Sequence, residues 1–142
     1  MSANSRADGF DGELVRIFYE LWEGSVGGRE YLESTPAVPD TLEKLPRSNA
    51  GDVHRALRNL NRIGHLVEKG PLSAEFVASL VGKEAIRAIT KVKPLVEEAR
   101  TRREEPDYLE FIDRLYQVCQ RAYPDYEPKY DIEEKRGFGL VG

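Results

Sequence analysis

One stretch constrains this chain more than any other. Asp52 to Gly70, DVHRALRNLNRIGHLVEKG, has a start, a period and a stop that agree. At about 100° per residue, Val53, Ala56, Leu57, Leu60, Ile63, Gly64 and Val67 fall on one side of a helix, the pattern needed to dock on a core. Ser48 or Asp52 is placed to accept from free N–H groups at its start, and Lys69-Gly70-Pro71 forms a stop. The opposite side carries Arg55, Arg58 and Arg62, with His54 and His65 on their flank. Such a ridge reads first as a solvated face. Its sharper reading is a contact for an anion or an acidic partner, through Arg55, Arg58, Arg62 and His65.

The other periodic stretches extend the helical pattern. Residues 1–8 are small, polar and aperiodic and read as a flexible tail, with Asp8 as the cap of the next helix. In that helix Phe10, Leu14, Ile17, Phe18 and Leu21 form one apolar stripe, and Val15, Tyr19, Trp22 and Val26 form a second beside it. Together they cover about 200° of the wheel, twice what a surface helix needs. The helix is therefore either covered on two sides within the monomer or lends Val15, Tyr19, Trp22 and Val26 to another chain. Gly24 to Gly28 is expected to loosen it, with Arg29 to Ser34 resuming for a turn or two. Pro36, Pro39 and Pro46 make residues 35–48 an extended crossover, with one turn at Leu42 to Leu45 capped by Thr41.

Beyond Gly70, Ser73 suits the cap of a short helix over Ala74 to Val81, which Gly82 interrupts. The period restarts at Ala85, Ala88, Ile89, Val92, Leu95, Val96 and Ala99, predicting a long helix over Lys83 to Arg102 bent at Pro94. Arg100, Arg102 and Arg103 suit its negative end. A last helix, starting at Pro106 or Asp107, presents Tyr108, Phe111, Ile112, Leu115, Val118, Cys119 and Ala122. The tail from Pro124 has no period and is expected to be extended or disordered, pinned in places by Tyr126, Tyr130, Ile132 and Phe138. The expected architecture is all-α: an irregular bundle of four to five helices in one domain, 9–123, with residues 124–142 as an extended tail. Leu21, Leu57, Leu60, Ile63, Ile89, Val92, Ile112 and Leu115 form the predicted core.

The order LNRIGHLVEKG, LSAEFVASLVG, VKPLVEEAR and DYLEFIDRLY, spanning Leu60 to Tyr116, is similar to that of a family of small all-helical domains from bacteria and archaea described only as a domain of unknown function. The earlier LW and REYLE extend the likeness. The resemblance implies an all-helical fold and carries no activity, cofactor or catalytic residue. Ala88 and Ile89 depart from it, standing where many relatives have a tryptophan.

Composition and motifs narrow the chemistry. A length of 142 residues suits one domain, and no apolar run approaches the ~20 residues of a membrane span. The first residues lack the apolar segment of a secretory signal, so a cytoplasmic protein is expected. Cys119 is the single cysteine, which excludes an internal disulfide and multi-cysteine metal sites, and its place in an apolar stripe suits a buried hydrophobe. His54 and His65 are eleven residues apart, on one side of the helix but three turns distant, so one helix cannot bring both to one ion. GSVGG lacks the order of a phosphate-binding loop, and Ser25 within it lacks a G-x-S-x-G elbow. NRIGHLVEKG looks like the end of a winged-helix recognition helix, but the following LSAEFVASLV has a helical period where a wing needs a hairpin. A net charge of −4 also disfavours wrapping nucleic acid. The reading assigns no catalytic residue, metal ligand or cofactor. It favours a non-enzymatic module that meets a protein partner or a second copy through the first helix, with nucleic-acid or anion binding at the arginine ridge as the alternative.

Overall fold

The computed structural model describes residues 12–130, and all its regular structure is helical. Helix α1 is Gly12–Gly24, α2 Val26–Ser34, α3 Arg47–Glu68, α4 Ala74–Arg103 and α5 Glu110–Ala122, with a 3-10 turn at Leu42–Lys44 in the crossover. Asp8, Phe10, Ile132 and Phe138 lie outside the described residues. The organising helix sits at the centre, with α5 on one side and α1 and α2 on the other, while α4 closes the bundle against α5 and α2. Every member of its predicted apolar face is buried. So are the predicted core residues Leu57, Leu60, Ile63, Ile89, Val92, Ile112 and Leu115; Leu21 alone is half-buried. Each such Leu or Ile contributes ~1.5–3 kcal/mol by leaving water.

Two glycines set how close the neighbours of α3 can come. A Cβ on Gly64 would lie 1.9 Å from the carbonyl oxygen of Phe111, and one on Gly28 would lie 2.5 Å from that of Asp52. The sequence-based expectation of a loosened helix at Gly24 to Gly28 is thereby corrected. The break is confined to Ser25, and Gly27 and Gly28 belong to α2, where their missing side chains let it press on α3.

Three further boundaries differ from expectation. Helix α3 begins at Arg47 directly after Pro46, so neither Ser48 nor Asp52 caps it. Pro46 ends the extended segment, and the polar residues that follow have nothing against helix. Helix α4 runs unbroken through Gly82 and Pro94, because burial of Val77, Val81, Ala85, Ile89, Val92 and Val96 along one side outweighs ~1 kcal/mol for the glycine and ~3 for the proline. At Gly82 the ring of Tyr123 occupies the space a side chain would fill. Helix α5 begins at Glu110, after residues 106–109 form a turn. Two expected caps divide: Ser73 accepts from the Phe76 amide at 3.1 Å, whereas Thr41 makes no side-chain cap.

That α4–α5 turn is held by one side chain. Glu104 and Leu109 both adopt left-handed backbone, at φ 55° and 53°, which costs non-glycine residues ~1 kcal/mol or more each. Arg100 offsets this by donating to the carbonyls of Tyr108 (2.8 Å) and Leu109 (3.1 Å) and to Asp113 (3.0 Å). The tail is pinned as expected over its described part. Tyr126 accepts from Arg87 at 2.9 Å, and Tyr130 donates to the Arg87 carbonyl at 3.0 Å. The ammonium of Lys83 lies over the rings of Tyr123 and Tyr126, and that of Lys91 over Tyr130. Residues 124–130 thus form an extended strap along α4.

Candidate functional site

Two surfaces carry the residues singled out from the sequence, and the fold keeps them apart in character. The first is the outer edge of α1 and α2. Trp22 is buried, not offered outward: the Arg29 guanidinium lies 3.7 Å from its ring centroid, a stacked cation over an aromatic face. Arg29 also donates to the Ser25 hydroxyl (2.7 Å) and the Trp22 carbonyl (3.1 Å), while the buried Ser25 hydroxyl donates to the same carbonyl (2.6 Å). This cluster adds two side-chain donors to the Trp22 carbonyl, which also accepts from the Ser25 amide at 3.0 Å across the break. Burial holds the Arg29 pKa below its usual value, against the pull of Glu84, Glu23, Glu30 and Glu33. Sequence reading missed the pairing because its partners are seven residues apart across a helix break.

Around this plate, Val15 is half-buried while Tyr19 is 43% and Val26 40% exposed. Leu80, at 43%, is a turn beyond Phe76, whose ring meets Phe18 edge-on at 5.7 Å between centroids. Tyr19, Val26 and Leu80 are the three exposed large apolar side chains among the described residues, and the Phe18–Phe76 contact joins α1 to the start of α4.

The second surface is the outward face of α3, which runs between α1 and α5. Asn59 donates to the Leu21 carbonyl at 3.0 Å on one flank, and Asn61 accepts from the Phe111 amide at 3.0 Å on the other. Arg55, Arg58, Arg62 and His65 are all exposed, and His54 is half-buried. The His65 ring rests against Phe111, with centroids 4.6 Å apart. His54 and His65 are not brought together, and no cluster of three metal-ligating side chains occurs among the described residues. Between α1 and α3 a groove of about 260 Å³ is lined by Ile17, Leu21 and Leu66, with Arg62 and His65 at its rim.

Cys119 is fully buried, and burial pushes its thiol up to about 12, so at neutral pH it is a small apolar side chain. Among the described residues no helix is long and apolar enough to cross a membrane. No curated protein and no solved structure matches the chain. One family does, over residues 17–118, reaching well before the Leu60 at which the sequence resemblance was strongest and taking in α1, α2 and the crossover. With most of its length matched, from the middle of α1 to the last turns of α5, the chain belongs to the family described as domain of unknown function (DUF4760).

Proposed function

We propose that this protein is a non-enzymatic helical module that associates with a second copy of itself through the edge formed by α1 and α2. The observation that carries this reading is the exposure of Tyr19 and Val26 on either side of the buried Trp22–Arg29 plate. Tyr19 lies three residues before Trp22 and Val26 four after it, on opposite sides of the break at Ser25. A two-fold interface requires that residue i meet j while j meets i. An edge with one large apolar group at each end of a flat aromatic plate meets that condition, Tyr19 of one copy covering Val26 of the other.

Tyr19→Glu with Val26→Glu tests the reading, because both side chains are exposed and a charge placed there keeps access to water. Trp22→Glu is unsuitable, since it would bury a charge and unfold the junction. Sedimentation equilibrium should give a mass that rises with protein concentration towards twice the monomer value, and the double variant should remain monomeric with its melting temperature unchanged. A wild-type protein that stays monomeric at high concentration would sink the proposal.

A further inference from the structure

The start of α3 at Arg47 lengthens its basic ridge beyond the three arginines legible in the sequence. At 100° per residue Arg47, Arg55, Arg58, Arg62 and Lys69 fall within one sector of about 100°, with His54 and His65 inside it. The stripe runs the length of the helix, roughly 33 Å from Arg47 to Lys69 at 1.5 Å per residue. Both acids of α3 lie outside the sector: Asp52 faces Gly27 of α2, and Glu68 pairs with Arg114 at 2.8 Å. Elsewhere most guanidinium groups of the described residues are engaged, Arg29 by stacking on Trp22, with Arg121 the exception. Arg16, Arg87, Arg100, Arg102, Arg103 and Arg114 each have a carboxylate partner. Arg47, Arg55, Arg58 and Arg62 have no ion-pair or hydrogen-bond partner among the described residues, in a chain that carries more acids than bases. Positive charge left unneutralised along a straight line, in an acidic protein, is charge available to a ligand.

We propose that the exposed face of α3 docks an acidic amphipathic helix of a partner protein, lying along the stripe. Arg55, Arg58 and Arg62, spaced three and four residues apart, match the repeat of carboxylates at i, i+3 and i+4 on such a helix, and Arg47 and Lys69 extend the charge about two turns further at either end. The apolar floor of the groove beside Arg62 and His65, formed by Ile17, Leu21 and Leu66, receives a side chain from its apolar flank. A nucleic acid fits less well. A phosphate backbone has no use for that groove, the stripe holds no aromatic ring beyond its two histidines on which bases would stack, and the net charge of −4 repels the rest of a long polyanion.

The test uses fluorescence anisotropy with a labelled helical peptide of about 20 residues, glutamates along one face and leucines beside them. Its comparators are the same composition in scrambled order, the same peptide with serine in place of leucine, and a DNA duplex. The patterned peptide should bind about tenfold or more tightly than the scrambled and serine versions and more tightly than the duplex, with affinity falling as salt rises. Arg55→Glu with Arg58→Glu and Arg62→Glu should abolish that binding while the helical circular dichroism and melting temperature stay as in the parent. Equal binding of the scrambled peptide would mean simple ion exchange and overturn the proposal, as would preference for the duplex, survival of binding in the triple variant, or no binding at low salt.

Discussion

Arg100 holds the α4–α5 turn by hydrogen bonds to two backbone carbonyls and one carboxylate, in a place where two residues sit in left-handed backbone. Removing it takes a donor from both carbonyls, that of Leu109 keeping only the Ile112 amide at 3.2 Å, and leaves the strain without compensation. We expect Arg100→Ala to cost about 2–3 kcal/mol, seen as a lower urea midpoint at unchanged slope; a loss under about 0.5 kcal/mol would show the turn to be held by something else. Cys119 makes a second prediction. The unfolded thiol ionises near its ordinary 9.0, and the folded one holds its proton to about 12. Its contribution is therefore complete below pH 9 and is lost as pH rises towards 12, because the unfolded chain releases the proton first. The stability difference between the parent and Cys119→Ala should accordingly narrow above pH 9 in denaturant titrations; a constant difference would contradict the buried thiol. The Cys119 burial was legible in the sequence, since the residue shares an apolar stripe. Arg100 was assigned only to the helix dipole, because its carbonyl partners exist only once the turn has formed.

At the scale of the element, α3 was readable from its apolar period and from its Gly70 stop, which adopts φ +95°. Its start was not, because residues 47–51 contribute little to the core and the only signal is Pro46 ahead of them. The same reasoning explains α4. A lone glycine costs about 1 kcal/mol in a helix, less than the apolar side that continues past Gly82 is worth, so the interruption expected there does not occur. Two glycines of α3 give opposite predictions for one substitution. Gly51 has open space around it, so Gly51→Ala should stabilise by about 0.5–1 kcal/mol through helix propensity. At Gly64 the new Cβ would strike Phe111 backbone, and α5 would have to move, so Gly64→Ala should destabilise by about 2–3 kcal/mol or more. Thermal unfolding of the two variants checks this directly, and equal effects would contradict the close α3–α5 approach.

The whole molecule divides its surface by chemistry: an apolar edge on α1 and α2, a basic face on α3, and a tyrosine strap along α4. The all-helical class and most of the core followed from periodicity alone. What periodicity could not say was which of the two stripes on α1 is covered, because Trp22 is buried by Arg29 from beyond the helix break and Phe18 by Phe76 from a helix distant in sequence. The part left exposed, Tyr19 and Val26, is what makes self-association the central claim. Its geometry can be tested by cysteine cross-linking in a Cys119→Ala background. Tyr19→Cys protein mixed with Val26→Cys protein should form a disulfide between copies faster than Glu127→Cys, an exposed site on the strap, forms one with itself. A mixed 19–26 disulfide no faster than that control would contradict the account.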